Sequence, residues 1–259
     1  MNQTLFKNIR IVLVGTSHPG NIGAAARAMK TMGLSRLYLV EPKQFPDHEA
    51  TARASGADHL LTSAQVCTSL PEALEGCSLV IATTARMRTL SWPIMEPREM
   101  GAKVVEVAAE NECAIVFGRE RTGLTNEELE HCRAAVKIPT EADFSSLNLA
   151  AAVQILSYEV RQAALEIGQQ EVAPEKEVGS VELATSDQLE GFYGHLEQTM
   201  IDIEFYDPTK PKYLMRRFRR LFSRTDMEKS EVQVMRGLLT ASQKMVQKAS
   251  KKTENKKQS

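Results

Sequence analysis

Five short runs of apolar and β-branched residues constrain the fold of this chain more than any other feature. They lie at residues 9–14, 37–40, 78–83, 113–117 and 135–138. Longer segments with helical periodicity separate them, for example 22–32, 98–109 and 126–132. Continuous apolar strands that alternate with helices are typical of a mostly parallel sheet covered on both faces. We therefore predict an α/β domain over residues 1–168.

The composition changes after this domain. Residues 169–185 lose the apolar period and gather Glu, Gln, Pro and Gly, which predicts a linker. Beyond it, apolar residues recur at three- and four-residue steps and predict an amphipathic helix: Leu189, Phe192, Tyr193, Leu196, Met200 and Ile203. Two more helices are predicted through YLMRRFRRLFSR and VQVMRGLLTASQKMV. We expect a small helical module over 186–247 and a basic, disordered tail over 248–259.

Composition and cysteine usage predict a cytoplasmic protein. Of the 259 residues, 42% are hydrophobic and 25% are charged, which allows a sizeable core. No apolar run reaches the roughly eighteen residues that a membrane span requires, and the N-terminal segment does not resemble a signal peptide. The cysteines are widely spaced without a C-x-x-C pair, so we interpret them as buried or incidental thiols and expect no metal site: Cys67, Cys77, Cys113 and Cys132.

The stretch HPGNIGAAARAMKTMG follows the first apolar run directly. A glycine turn between a strand and a helix usually presents the helix N-terminus to an anionic or polar group. Gly15 and Gly20 match the start of a phosphate-binding P-loop, but Asn21 and Ile22 stand where that loop needs Lys and Ser or Thr. The dinucleotide pattern G-x-G-x-x-G is absent too. The sequence therefore excludes both of these nucleotide-binding loops.

Helix capping explains only part of this stretch. Asn21 is a candidate N-cap and Gly20 a candidate turn residue. Arg27 lies four residues after Gly23 and hence on the same helix face. Because Gly23 presents no side chain, we expect the guanidinium to reach the helix N-terminus and bind a phosphate or a polarised hydroxyl there.

Two further stretches follow predicted strands. In VFGRERTGL, Gly118 and Gly123 flank Glu120, which indicates either a loop that approaches a ligand or an ordinary surface turn with a solvated Arg-Glu-Arg. In KIPTEADFSSLNLAAAVQILSYEV, Ser145 or Ser146 is expected to cap a helix. The core-facing positions of that helix are Leu149, Val153, Leu156 and Val160. Capping leaves the amide of Asn148 unexplained, and an amide beside Ala151 and Ala152 needs a specific partner.

Together these stretches resemble the motifs of a known enzyme family. The shared residues are Asn21-Ile-Gly23-x-x-x-Arg27, then Gly118-x-Glu120-x-x-Gly123-Leu124, then Ile138-Pro139 with Ser145-Ser146-Leu147-Asn148-Leu149. Over about residues 8–168 they resemble the SpoU/TrmH branch of the SPOUT RNA 2'-O-methyltransferases. FYGHLEQT in the C-terminal part extends the resemblance to the TrmJ-type enzymes, which methylate the ribose of cytidine or uridine at position 32 of the tRNA anticodon loop.

The resemblance implies a deep trefoil knot in the α/β domain and a bent S-adenosylmethionine bound by the loops of the knot. The implied cofactor residues are Thr83, Thr84, Ala85, Gly118, Ile138, Ser145, Ser146 and Leu147. These segments follow three predicted strands, so we expect them along one edge of the sheet. The resemblance also implies a homodimer with the site at or near the subunit interface.

The implied catalytic residues are Arg27, Asn21, Glu120, Ser146 and Asn148. Arg27 is the key residue by resemblance, but a guanidinium stays protonated and is a poor base. We therefore favour the hypothesis that Arg27 clamps an RNA phosphate and stabilises the developing alkoxide. The other residues are expected to orient Arg27, the ribose or the loops.

The segment between Asp207 and Asp226 contains seven basic residues and no acidic one. On one helix, Arg216, Arg217, Arg220 and Arg224 would share a face opposite Phe218 and Leu221 or Phe222. This pattern predicts a cationic stripe that contacts tRNA phosphates, the alternative being a solvated helix face.

Three other functions compete with methylation of the anticodon loop. The motifs alone are compatible with methylation of another tRNA nucleotide or of ribosomal RNA. A non-catalytic RNA-binding protein would be expected to lack Arg27 or the SSLN segment, and both are present. An NTPase or a nucleotide-dependent oxidoreductase would need a phosphate loop, which the sequence lacks.

Overall fold

The computed structural model describes residues 3–85, 93–169, 182–210 and 213–257. The chain divides into two compact units, Met1–Val178 and Gly179–Ser259. Among the described residues, no helix is both long enough and apolar enough to cross a membrane.

One parallel sheet forms the centre of the first unit. Its strands are β1 (Ile9–Val14), β2 (Arg36–Val40), β3 (Gln65–Cys67), β4 (Cys77–Thr83), β5 (Ile94–Met95), β6 (Glu112–Phe117) and β7 (Ala134–Val136). Within the described residues the strand order is β3-β2-β1-β6-β4-β7-β5, and every pair is parallel. The five predicted strands are confirmed. The sequence analysis missed β3 and β5, because strands of three and two residues show no apolar run.

Helices cover both faces of this sheet, since every residue of β1 is buried. They are α1 (Gln3–Lys7), α2 (Pro19–Met32), α3 (His48–Ala54), α4 (Asp58–Thr62), α5 (Leu70–Leu74), α6 (Pro97–Ala108), α7 (Asn126–Glu130) and α8 (Leu149–Gln169). Helices α5 and α7 contribute to a hydrophobic cluster with β1 and β4. Helix α2 packs against α3 and α8, and α6 packs against α8. The predicted α/β class is therefore confirmed.

The topology brings four loops to one edge of the sheet. Strands β1, β6, β4 and β7 are consecutive neighbours, and the turn before α2 and residues 83–85, 118–124 and 137–148 follow their carboxyl ends. In open parallel sheets this edge is where ligands bind. The trefoil knot depends on how the chain threads, not on strand order alone, and it stays a prediction.

The second unit is helical and has its own core. It contains α9 (Ser186–Asp202), α10 (Leu214–Phe222) and α11 (Lys229–Lys257). Phe192, Tyr193 and Met200 are buried in its hydrophobic cluster, as the periodicity predicts. Ile203 was expected on the same face, but it lies just beyond the end of α9 and is 45% exposed.

Two predicted boundaries lie near this unit. Of the predicted linker, residues 170–181 fall outside the described residues. Helix α11 extends to Lys257, into the segment 248–259 for which we expected disorder. This segment contains Lys, Glu, Gln and Ala and no Gly or Pro, so its residues favour continuation of a helix that has already begun.

Close packing of α2 against α3 gives a first testable prediction. A Cβ atom at Gly23 would lie 1.9 Å from the backbone oxygen of Ala50, so Gly23→Ala must push the two helices apart. We expect a loss of at least about 2 kcal/mol in unfolding free energy. The measurement is thermal unfolding of the purified protein. The control is Gly194→Ala in α9, where an added Cβ meets no atom within 4 Å. An unfolding temperature for Gly23→Ala equal to that of the control would contradict the prediction.

Candidate active site

A cavity lies at the carboxyl ends of β4, β6 and β7. It encloses about 1030 Å³ of empty space, part of which is open to solvent. The lining includes all eight residues that the resemblance to the SpoU/TrmH enzymes assigns to the cofactor: Thr83, Thr84, Ala85, Gly118, Ile138, Ser145, Ser146 and Leu147.

The loop after β6 forms one wall of the cavity and is tightly closed. The N–H of Arg119 donates to the carbonyl of Gly123 at 3.3 Å, and the N–H of Gly123 donates to the carbonyl of Arg119 at 2.9 Å. A Cβ atom at Gly118 would lie 2.3 Å from the backbone of Gly123 and Leu124, so only glycine fits there. The stretch is therefore a compact hairpin loop that shapes the cavity wall.

Glu120 of this loop binds the N-terminus of α2. Its carboxylate accepts hydrogen bonds from the backbone N–H of Ser17 at 3.1 and 3.2 Å and from that of His18 at 3.2 Å. The Ser17 hydroxyl donates to it at 2.9 Å and the Asn21 amide at 3.0 Å. Helix N-termini stabilise anions because their N–H groups point outward along the dipole. The sequence predicts an anionic or polar group at this glycine turn, and in the structure that group is the Glu120 carboxylate of the same chain.

These bonds change the ionisation of Glu120. Partial burial on its own raises the pKa of a carboxylate, but here hydrogen bonds to the charged form outweigh it. The donors are the Asn21 side chain and the backbone N–H groups of Glu120, Ser17 and His18, and they lower the pKa of Glu120 to about 2. Glu120 is therefore an anion at neutral pH that holds two loops together.

Asn21 and Asn148 join the third motif to the first two. The Asn148 amide donates to the Asn21 side-chain oxygen at 3.0 Å, and Asn21 in turn donates to Glu120. The Asn148 side-chain oxygen accepts from the N–H of Ala150 at 2.9 Å and from that of Ala151 at 3.4 Å. The specific partner expected for the Asn148 amide is therefore Asn21, and a chain of side-chain hydrogen bonds connects all three motifs.

Two of the capping assignments were wrong. Helix α2 begins at Pro19 with His18 as N-cap, so Asn21 lies inside the first turn with its side chain free to reach Glu120. Helix α8 begins at Leu149 and is capped by Asn148, two or three residues after the serines that we expected to cap it. Ser145 and Ser146 line the cavity instead. The core-facing residues of α8 were placed correctly: Leu149, Val153, Leu156 and Val160 are buried.

The role expected for Arg27 stays a prediction. It lies on α2 and is exposed, and no hydrogen bond or ion pair involves it within the described part of the chain. The helix N-terminus that Arg27 was expected to reach is occupied by Glu120. Gly23 lacks a side chain because α3 packs against it, rather than to clear a path for Arg27.

Sequence reasoning missed the residues that support the hairpin loop. Glu128 accepts two hydrogen bonds from the Arg119 guanidinium, at 3.0 and 2.9 Å, and completes a capping box with Thr125 at the start of α7. The spacing T-x-x-E from Thr125 to Glu128 could have revealed the cap. Ser17, which holds Glu120, carries no comparable signal because a serine in a turn is common.

The basic segment of the second unit is only partly a helical stripe. Phe218 and Phe222 of α10 pack on the hydrophobic cluster and Arg217 is exposed, as expected. Arg224 was expected on the same helix, but α10 ends at Phe222. The N–H and hydroxyl of Thr225 both donate to the carbonyl of Phe222, at 3.2 and 2.9 Å, which closes the helix.

The other arginines of α10 differ in their surroundings. Arg219 pairs with Glu190, and its guanidinium lies 4.5 Å from the centre of the Tyr193 ring, so it stabilises the second unit. Arg216 lies 5.4 Å from the centre of the Tyr213 ring, and both it and Arg220 are half-buried.

The described residues hold no group of three or more His, Cys, Asp or Glu that could bind a metal ion. The four cysteines are free and buried, as interpreted from the sequence.

Comparison with known families decides the relationship. Residues 8–158 match the model of the SpoU rRNA Methylase family. The chain belongs to the SpoU methylase family. Residues 187–254 match the C-terminal domain of the tRNA methyltransferase TrmJ. The resemblance seen in the three motifs and in FYGHLEQT is confirmed.

Individual members of the SpoU methylase family are similar over nearly the whole chain. The tRNA (cytidine/uridine/adenosine-2'-O-)-methyltransferase TrmJ of Pseudomonas aeruginosa is 52% identical over 246 residues, which cover 93% of this chain and 96% of that protein. The tRNA (cytidine/uridine-2'-O-)-methyltransferase TrmJ of Pectobacterium atrosepticum is 51% identical over 243 residues, covering 93% and 98%. The crystal structure of TrmJ from Z. mobilis ZM4 superposes with a TM-score of 0.77 at 33% identity, covering 90% and 97%.

The lowered pKa of Glu120 predicts a pH-dependent contribution to stability. Because the folded-state pKa is about 2 against an ordinary value of 4.5, the contribution is complete above pH 4.5 and is lost as the pH falls toward 2. At pH 7, Glu120→Gln should lower the unfolding free energy by about 1–2 kcal/mol, a figure reduced for the partial exposure of the carboxylate. Denaturant titrations of both proteins at pH 7, 4.5 and 3 measure the difference, which should shrink at the lowest pH. Glu110→Gln, at an exposed carboxylate, is the control; a difference independent of pH would contradict the assignment.

Proposed function

We propose that this protein transfers a methyl group from S-adenosylmethionine to the ribose 2'-hydroxyl of cytidine or uridine at position 32 of the tRNA anticodon loop. Membership of the SpoU methylase family supports the reaction type. About half of the residues are identical to those of TrmJ enzymes that act on tRNA, over nearly the full length of both chains. The observation that carries the proposal is the cavity at the sheet edge, where loops from three strands meet beside the bonded motif residues.

The cavity residues fit S-adenosylmethionine. Apolar side chains such as Phe117, Leu124 and Val136 provide a surface for an adenine ring, and the hydroxyls of Thr83, Ser145 and Ser146 provide polar partners. Gly118 lets the chain pass close to the wall without a side chain in the way. When bound, the cofactor supplies an electrophilic methyl group on a sulfonium, so the protein needs little acid or base chemistry of its own.

The motif residues then have separable tasks. Glu120, Asn21 and Asn148 hold the start of α2, the hairpin loop and the start of α8 in fixed positions, which lowers the entropic cost of orienting two substrates. Ser146 lies in the cavity wall. Arg27 is exposed and positively charged, and it clamps an RNA phosphate near the reacting ribose and stabilises the alkoxide as the hydroxyl loses its proton.

The second unit supplies contacts to tRNA. Arg217 and Arg224 are exposed in a segment without acidic residues, and Arg216 and Arg220 lie half-buried beside them. Such clusters bind phosphate groups by displacing counterions. We further propose that the enzyme acts in the cytoplasm, where free buried thiols persist, and that it works as a homodimer with a knotted α/β domain in each subunit.

One observation favours a wider choice of base. The name of the Pseudomonas aeruginosa relative includes adenosine beside cytidine and uridine. The 2'-hydroxyl is the same in every nucleotide, so a site that positions mainly ribose and phosphate can accept several bases. Methylation of adenosine at the same tRNA position is the second candidate activity.

The decisive experiment maps the methylated nucleotide. Unmodified tRNA transcripts with C, U, A or G at position 32 are incubated with the protein and labelled S-adenosylmethionine, and the product is digested and sequenced. Label in the 2'-O-methyl group of nucleotide 32, with C and U as substrates, is the expected result. Label elsewhere in the tRNA, or only in ribosomal RNA offered in parallel, would replace the proposed substrate.

Arg27→Lys tests the role of the guanidinium. Lysine keeps the positive charge but lacks the planar fork that binds a phosphate and an alkoxide together. We expect the methylation rate at saturating substrate to fall by about a hundredfold, or about 2.7 kcal/mol of barrier. Arg53→Lys on α3 is the matched control, because this arginine is also exposed and does not line the cavity. A rate for Arg27→Lys equal to that of the control would rule out the clamp.

The salt dependence of tRNA binding tests the arginine cluster. Replacing one arginine that binds a phosphate should reduce the slope of log Kd against log salt by about 0.7–0.9. The double variant Arg217→Gln with Arg224→Gln should therefore flatten the slope by about 1.5 and weaken binding at low salt. Lys244→Gln, at an exposed position of α11 outside the basic segment, serves as control. Wild-type affinity that does not change with salt would assign the cluster a structural role.

A further inference from the structure

The hairpin loop contains three consecutive charged residues, Arg119, Glu120 and Arg121, and all three line the cavity. Two of the three charged groups have partners within the protein. Arg119 forms a two-point ion pair with Glu128 at 3.0 and 2.9 Å. Glu120 is bound by the N-terminus of α2.

Arg121 is in a different situation. It lies between the residues that close the hairpin, Arg119 and Gly123, and it is exposed while it lines the cavity. Across the described ranges, the structure shows neither a hydrogen bond nor an ion pair of this guanidinium. A cation that lines a cavity, with no such partner among the described residues, is available to an anionic group of the ligand.

The rest of the cavity lining indicates which ligand would carry the anionic group. Phe117, Leu124 and Leu129 make part of the wall apolar, which suits an adenosine. The amino-acid end of S-adenosylmethionine carries a carboxylate, and a guanidinium binds a carboxylate through two parallel hydrogen bonds. An RNA phosphate is the competing anion, but Arg27, which is exposed on α2 and does not line the cavity, is already proposed for that role.

We propose that Arg121 binds the carboxylate of the amino-acid part of the cofactor and thereby selects ligands that carry this group. The inference rests on the proposed function, because it names a contact within the same cofactor site. Arg121 would then determine cofactor selectivity, while the contacts of Arg119 and Glu120 would keep the hairpin in shape.

The experiment compares two ligands and two proteins. The ligands are S-adenosylhomocysteine and its carboxylate-free analogue S-adenosyl-3-thiopropylamine, which both lack the sulfonium charge. Isothermal titration calorimetry measures their dissociation constants for wild-type protein and for Arg121→Met. We expect the substitution to weaken S-adenosylhomocysteine about tenfold and to change binding of the analogue less than twofold. Arg121→Lys should recover part of the affinity, and Arg53→Met, at an exposed arginine outside the cavity, should have no effect.

Each other outcome overturns the proposal in a distinct way. Equal weakening of both ligands would mean that Arg121 only shapes the loop. Unchanged binding of both ligands, together with weaker tRNA binding, would assign Arg121 to an RNA phosphate. If wild-type protein and Arg121→Met bound S-adenosylhomocysteine equally tightly, the carboxylate contact would be wrong and the proposed function would be unaffected. If wild-type protein bound neither ligand, the cofactor assignment itself would fail.

Discussion

The structure of the candidate site depends on one interaction, the binding of the Glu120 carboxylate by the N-terminus of α2. This contact joins residues about a hundred positions apart, from the loop after β6 to the turn after β1. It satisfies the backbone N–H groups of Ser17 and His18 just before α2 and keeps the carboxylate charged. The Asn21 and Asn148 amides then extend the contact to the start of α8. Without Glu120, three loops at the sheet edge would lose their common anchor.

This arrangement also explains why the glycine turn is not a nucleotide site. A strand, a glycine turn and a helix are the parts from which phosphate-binding loops are made. Here the backbone N–H groups just before α2 already bind an anion from the same chain, the carboxylate of Glu120. The strand, turn and helix therefore hold the hairpin loop in place rather than bind a nucleotide. In the proposed function, exposed arginines such as Arg27 and Arg217 bind the RNA phosphates instead.

Much of the fold could be predicted from the sequence, because long apolar runs and amphipathic periods directly reflect burial. The central strands and α8 are examples: Ile9–Val14 is wholly buried, and Val153, Leu156 and Val160 face the core. Strands β3 and β5 were not predicted because they are short. They are strands because they pair with β2 and β7, and the sequence does not show this pairing. The eight residues that the resemblance assigns to the cofactor all line one cavity.

The roles of individual polar residues were harder to predict. Asn21 and Asn148 were both recognised as important, but the choice of helix cap depends on where each helix starts, which a sequence places only within a few residues. From the sequence, the missing side chain of Gly23 was interpreted as room for Arg27. In the structure, a side chain at this position would collide with the backbone oxygen of Ala50 on α3. Contacts between residues distant in sequence decide such cases, and local pattern carries no information about them.

The double use of Asn148 has a consequence for motion. Its oxygen holds the first turn of α8 and its amide holds Asn21, so one side chain closes both contacts. Movement of this one side chain out of its position would therefore break the cap of α8 and the contact with Asn21 together. The amide hydrogens of Ala150 and Ala151 should exchange with solvent at a rate that reports how often Asn148 leaves this position.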